Sequence, residues 1–236
     1  MQQIMVYSDS LSWGIIPGTR QRMKFQQRWP GVLEQRLIAA GREVRIVEDC
    51  LNGRRTAMHD PLKPGRHGGI GLAQQIEAQS PLALVILMLG TNDFQSMHSC
   101  APNDSVAGMS ALIDCVREAP IEPGMPVPPI LLVAPPPIIM PKGDIAIKFG
   151  LHAARSKELS SLYCHLAQER SCAFFDAGRC VQVSDVDGVH MEFSAHAVLG
   201  EALAHYVLPL LDGGSTNDGA LLTEQSTVTP VVVDHK

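Results

Sequence analysis

Two short stretches of this chain carry residue types that could do covalent chemistry together. Ser10 closely follows an apolar run, Ile4–Tyr7. A serine so placed stands at the carboxyl edge of a strand and near a helix start, where its hydroxyl serves either as an N-cap or as an exposed nucleophile. The second stretch is Asp187-Gly188-Val189-His190. An aspartate three residues before a histidine can set its carboxylate against the imidazole Nδ1–H, and Gly188 lets the turn fold tightly. Nε2 is then free to face a hydroxyl, the arrangement of a Ser-His-Asp triad. The chemistry this implies is attack of Ser10 on an acyl carbonyl, with His190 as base and Asp187 orienting it. Such a reaction also needs hydrogen-bond donors for the developing oxyanion.

The elements that must position these residues follow from hydrophobic patterning. Apolar runs suited to buried strands occur at Ile4–Tyr7, Val44–Val47, Leu82–Leu89, Ile130–Ala134 and Ala173–Phe175. Helical spacing runs from Trp29 to Leu37, Ser105 to Arg117, Ile147 to Glu169 and Ser194 to Leu211. Strands alternating with helices imply βαβ units, hence a three-layer α/β/α sandwich around a five-stranded parallel sheet of flavodoxin-like type. Ligands in such sheets bind at the carboxyl ends of strands. The segments to watch are therefore Ser8–Leu11, Cys50–Gly53, Gly90–Asp93 and Ala134–Pro137.

Four short blocks carry a resemblance. Tyr7-Ser8-Asp9-Ser10-Leu11-Ser12-Trp13-Gly14, Asn52-Gly53-Arg54, Leu89-Gly90-Thr91-Asn92-Asp93 and Asp185-Val186-Asp187-Gly188-Val189-His190 resemble, in order, the four blocks of the SGNH (GDSL-type) hydrolases. The likeness spans roughly residues 2 to 211 and is closest to the bacterial arylesterase and acyltransferase branch. It implies Ser10 as nucleophile, Asp187 and His190 as its partners, and an oxyanion hole made by the Ser10 N–H, the Gly53 N–H and the Asn92 side-chain amide. It further implies hydrolysis of short-chain esters, acyl transfer to alcohols in some members, and assembly as homo-oligomers in others. One position departs from the family: the glycine that usually opens the first block is Ser8 here. Serine there is strained if the backbone needs a positive φ and harmless if only a small side chain is needed; the second case is expected.

Trp13 and Arg54 are the candidate substrate contacts. Trp13 has packing beside the nucleophile loop as its alternative, and Arg54, like Arg55, has a loop-closing salt bridge. Asp93 is expected to accept hydrogen bonds from loop N–H groups. His196, in the helix after His190, is expected to take no part in catalysis. Pro17–Arg28, beside Ser10, and Met140–Phe149, after a later strand, are expected to wall the entrance and set substrate size.

Bulk properties narrow the class. The 236 residues are 45% hydrophobic and 18% charged, enough for one substantial domain, placed at residues 1–211 with a tail over 212–236. The formal net charge of −5, without a basic block, argues against nucleic acid. No apolar run reaches membrane-spanning length, and the start lacks the basic and apolar regions of a signal peptide. The six cysteines form no paired framework and read as reduced thiols, so the expected location is the cytoplasm. The histidines are too scattered for a metal cluster, and a triad needs neither metal nor cofactor. The expected partners are a small-molecule ester and water or an alcohol. The competing class is a flavodoxin-like binding module, but Ser8-Asp9-Ser10 puts a carboxylate where such a module cradles a phosphate. Among enzymes, thioesterase, lysophospholipase and carbohydrate deacetylase activities remain open.

Overall fold

The structure is a computed structural model that describes residues 1–213; the rest of the tail placed at 212–236 lies outside the described residues. Five strands pair in parallel: β1 (Gln2–Ser8), β2 (Val44–Cys50), β3 (Leu84–Met88), β4 (Ile130–Ala134) and β5 (Ala173–Asp176). Their order is β2-β1-β3-β4-β5, the flavodoxin-like order. The winding direction reverses between β1 and β3, and the crevice for a ligand opens at that reversal, beyond the carboxyl ends of the two strands. Ser10 and Asn92 stand just past those ends.

Strand residues alternate between two cores. Ile4 and Val6 of β1, Ile86 of β3 and Val133 of β4 face one side, against Trp29, Leu33, Leu199 and Leu203. These belong to α2 (Trp29–Ala39) and α7 (Phe193–Leu211). Met5, Tyr7, Val85, Leu87 and Leu132 face the other side, against Ile76, Leu112 and Tyr163. Those come from α3 (Leu72–Gln79), α4 (Pro102–Arg117) and α6 (Leu159–Glu169). A strand buried on both faces cannot show polar alternation, which is why β3 reads as an unbroken apolar run.

Two features differ from the patterning. The helix α3 was not anticipated, although Leu72 and Ile76 have helical spacing and are both buried. The stretch from Ile147 to Glu169 is not one helix. It divides into α5 (Asp144–Phe149), a 3₁₀ segment (Ala153–Glu158) and α6. The break begins at Gly150, whose N–H closes α5 on the Ala146 carbonyl at 2.8 Å. Beyond it, the Ser156 hydroxyl donates to the Ala153 carbonyl and accepts from the Ile138 N–H, tying this segment to the loop after β4.

The nucleophile segment is a single turn, α1 (Ser10–Trp13), closed by Gly14 in the left-handed region. A buried relay fixes it to its neighbours. The Trp29 indole N–H donates to the Ser12 hydroxyl (3.0 Å), which donates to the Ser8 hydroxyl (2.6 Å), which donates to the Met88 carbonyl (2.7 Å). Each hydroxyl thus gives one hydrogen bond and receives one, leaving no buried polar atom of the relay unpaired. Ser8 lies in β1 and is not among the residues with positive φ. Its small side chain fits this strand end without strain, and its hydroxyl ties β1 to the end of β3.

Ser12→Ala should strand the Trp29 N–H in the core and cost about 1–3 kcal/mol. Thermal unfolding followed by circular dichroism should register this as a fall of roughly 2–4 °C per kcal/mol. An unchanged melting temperature would mean that the relay adds nothing to stability.

Candidate active site

Four segments at the carboxyl edge of the sheet, after β1, β2, β3 and β5, bring the site together. After β5 the chain makes the Asp187–His190 turn and enters α7. Gly188 has φ +79, and a Cβ there would lie 2.3 Å from the Met140 carbonyl oxygen, so only glycine fits. Asp187 Oδ1 accepts from the Val189 and His190 N–H groups, both at 2.9 Å, which orients the carboxylate from its own turn. Its Oδ2 meets His190 Nδ1 at 2.8 Å. On the far side of the ring, His190 Nε2 faces Ser10 Oγ at 3.2 Å. A proton on Nδ1 is held by the carboxylate, leaving Nε2 able to take the serine proton. Burial works to raise the Asp187 carboxyl. The ring and backbone donors of His190, its charge and the Val189 N–H outweigh burial and hold it well below the usual carboxylate range.

The donors of the site are arranged with equal economy. Asn92 lies in a 3₁₀ turn (Thr91–Phe94) after β3. Its Oδ1 accepts from Gln95 Nε2 at 2.8 Å, and its Nδ2 donates to Asp9 Oδ2 at 2.8 Å. These contacts fix which way the amide points and leave one Nδ2 hydrogen for another acceptor. Gly53 has φ +84 on the loop after β2. Neither its N–H nor that of Ser10 makes a hydrogen bond among the described residues. Gln95, which sets the Asn92 orientation, was not picked out from the sequence; its place three residues after Asn92 was the available signal.

Asp9 links the two halves. It is buried, and its Oδ1 caps α1 by accepting from the Leu11 N–H at 2.9 Å. Burial pushes its carboxyl up to about 6 from an ordinary 3.8, opposed by the Leu11 N–H, the His190 charge and Asn92.

Other candidates resolve one by one. Arg54 does not point into open space. Its guanidinium donates to the Ser8 and Asp49 carbonyls and to Asp49 Oδ1, 2.6 Å away, and covers the Tyr7 ring at 3.9 Å. These contacts correspond to the loop-closing alternative rather than a substrate contact. Arg55 is likewise buried, donating to the His59 carbonyl. Trp13 is half-buried at the end of α1, with the Arg22 guanidinium 4.7 Å above its ring. Asp93 accepts from the Thr56 N–H and hydroxyl, as expected of a structural acceptor. His196 is buried and accepts from the Trp29 N–H at Nδ1; burial, then Arg28 and His190, push it down to about 3, so it stays neutral. The Pro17–Arg28 and Met140–Phe149 segments both touch the Asp187 turn. The Gly18 N–H donates to Asp187 Oδ2 at 3.2 Å, and the Lys142 N–H to the Asp187 carbonyl at 3.1 Å. Among the described residues no three His, Cys, Asp or Glu side chains are grouped to hold a metal.

A Ser-His-Asp arrangement at the switch point of a five-stranded parallel sandwich defines a serine hydrolase of the SGNH fold. The chain belongs to the GDSL-like lipase/acylhydrolase family, whose model matches residues 9–199. Among solved structures it is similar to Est24, a carbohydrate acetylesterase from Sinorhizobium meliloti, at 34% identity and a TM-score of 0.84, covering 89% of this chain and 100% of that one. The native aryl esterase of M. smegmatis gives the same identity, coverage and TM-score. A putative arylesterase from Agrobacterium tumefaciens is 38% identical with a TM-score of 0.82, covering 89% of this chain and 100% of that one. A comparison with curated proteins found no match. The protein is a carboxylic ester hydrolase acting on a small-molecule ester with water. Among the described residues, no helix is long and apolar enough to cross a membrane.

The raised Asp9 carboxyl makes a signed prediction. A native group that binds its proton more tightly than the unfolded chain loses stabilisation as pH rises through the interval between the two values. From pH 3.8 to about 6 the wild type should therefore lose about 3 kcal/mol relative to Asp9→Asn, measured by urea unfolding across that range. A difference that stays level with pH would mean that the carboxyl is not raised.

Proposed function

We propose that the protein is a serine esterase for short-chain, acetyl-type carboxylic esters, working through an acyl-enzyme on Ser10. The observation that carries this reading is the bridging imidazole, with Nε2 3.2 Å from Ser10 Oγ and Nδ1 2.8 Å from Asp187 Oδ2. His190 takes the serine proton as Oγ attacks the carbonyl, and returns it to the departing alcohol. Water, or an added alcohol, then enters by the same route and releases the acyl group. Asp187 stays ionised throughout and stabilises the charged ring.

The oxyanion is received by the Ser10 and Gly53 N–H groups and the free Asn92 amide hydrogen. In support, the Ser10 and Gly53 N–H groups and one Asn92 amide hydrogen have no partner among the described residues, and Gln95 and Asp9 fix the direction of that amide. Asp9 is a positioning residue that acts through Asn92. Arg54 braces the Gly53 loop from behind, and Trp13 packs beside the nucleophile turn. The names of the similar structures, a carbohydrate acetylesterase and aryl esterases, support small acyl groups on bulky alcohols. The six cysteines, all unpaired, support a reducing compartment such as the cytoplasm.

Ser10→Ala should abolish ester hydrolysis and labelling by an organophosphonate; a label found on another serine would defeat the assignment. Asn92→Ala should lower kcat by about 10²–10³ while the protein keeps its fold, checked by circular dichroism beside the kinetics. A series of p-nitrophenyl esters of increasing chain length, with and without an added alcohol, reports the acyl-pocket size and the transfer ratio. A preference for long chains would overturn the short-chain assignment.

A further inference from the structure

The chain is acidic overall, with a formal net charge of −5. Gly53 sits beside two cations of its own loop. A Cβ at Gly53 would stand 3.6 Å from Arg66 Nε and 3.9 Å from Lys63 Nζ, so both charges lie within a few ångströms of the Gly53 N–H. Arg66 is held there by donating to the Asn52 carbonyl at 2.9 Å and the Pro64 carbonyl at 3.1 Å, neither of which neutralises it. Two further cations come from the other entrance segments. Arg20 is exposed two residues after Gly18, whose N–H rests on Asp187. Lys148 lies on α5, and its carbonyl receives the Ser96 N–H from the segment that follows Asn92.

Among the described residues none of these four side chains has a carboxylate within salt-bridge distance, although Arg22, Arg28, Arg54 and Arg55 nearby all do. The acid among them is Asp60. It is buried, its Oδ1 caps the Leu62 and Lys63 N–H groups at 2.9 Å, and its Oδ2 lies 3.9 Å from His98. The cations feel one another. Loss of solvent and then Arg66 and Arg20 lower the Lys63 ammonium, against Asp60. Loss of solvent, Lys63 and Arg20 lower Lys148, against Asp60 and Asp9. Two of these unpaired positive charges stand beside Gly53, and Arg20 and Lys148 are near enough to be felt by Lys63 or by each other.

We propose that Arg20, Lys63, Arg66 and Lys148 form an anion-binding rim, and that the ester this enzyme prefers carries a carboxylate which the rim receives while the carbonyl meets Ser10. The inference rests on the serine-esterase reading and adds the class of substrate. A neutral ester gains nothing from the rim beyond a general pull on the oxyanion; a carboxylated one is also drawn in and oriented. The rim reverses, at the entrance alone, the repulsion that the net charge exerts on any anion.

Two matched pairs of esters test this, one with the charge on the alcohol side and one with it on the acyl side. They are 4-acetoxybenzoate against its methyl ester, and mono-p-nitrophenyl succinate against its methyl ester. In at least one pair the anionic ester should have the higher kcat/KM, each normalised to its rate with hydroxide. That ratio should fall roughly two- to fivefold for each charge removed in Lys63→Gln and Lys148→Gln. It should also shrink as ionic strength rises from about 10 mM to about 1 M. Equal loss on neutral and anionic esters would mean that the rim acts only on the oxyanion, and would overturn the proposal, as would ratios that the substitutions leave unmoved. Ser10→Ala separates this from the underlying reading. By calorimetry it should bind the preferred anionic ester more tightly than its methyl ester, and lose that difference with Lys63→Gln and Lys148→Gln added. Tight, charge-dependent binding without turnover of any ester by the wild type would keep the rim and defeat the esterase reading. Turnover of neutral esters without charge-dependent binding would do the reverse.

Discussion

A hydroxyl and an imidazole 180 positions apart can meet at 3.2 Å only if every element between them returns to one edge of one sheet. Parallel strands enforce that return. Each crossover restarts its strand at the same end, so all the loops that leave carboxyl ends lie side by side, and the order reversal between β1 and β3 parts two of them into a crevice. The Ser10–His190 contact depends on β1, β3 and α7 being in register, and thus on two cores that pin the strands from both faces. Apolar burial decides the position of the site; the polar groups then adjust it by fractions of an ångström.

That adjustment uses few residues. Asp9 caps the turn bearing Ser10 and, with its other oxygen, aims Asn92. One buried carboxylate therefore ties the turn bearing Ser10 to the Asn92 amide. Its cost is visible in the raised carboxyl, because a charge without full solvation is stable there only through the donors around it. Ser8, Ser12 and Trp29 carry out the matching task on the opposite side of α1, where neutral hydroxyls suffice.

Much of this was legible in the sequence, for reasons that differ by residue. The strand at Ile130–Ala134 was found with its observed bounds because it is buried on both faces and flanked by prolines. Ser10 and the Asp187–His190 pair stand out as candidates because a strand exit and a tight turn favour their residue types, whereas Gly53 and Asn92 stand out only through the resemblance of their blocks. The role of Arg54 could not be read, since an arginine beside a site looks the same whether it faces substrate or Asp49. The helix α3 was missed because its apolar stripe, Leu72 and Ile76, spans one turn. The proposed cationic rim was out of reach for a deeper reason. Arg20, Lys63 and Arg66 lie on two loops and Lys148 on α5, far apart along the chain.

The hydrogen bond from the Gly18 N–H to Asp187 has a consequence for motion. The oxygen it touches is the one that holds the imidazole. The Gly18 segment and the His190 ring are therefore joined at a single atom. Whatever shifts the Gly18 segment acts on the same atom that orients the His190 ring.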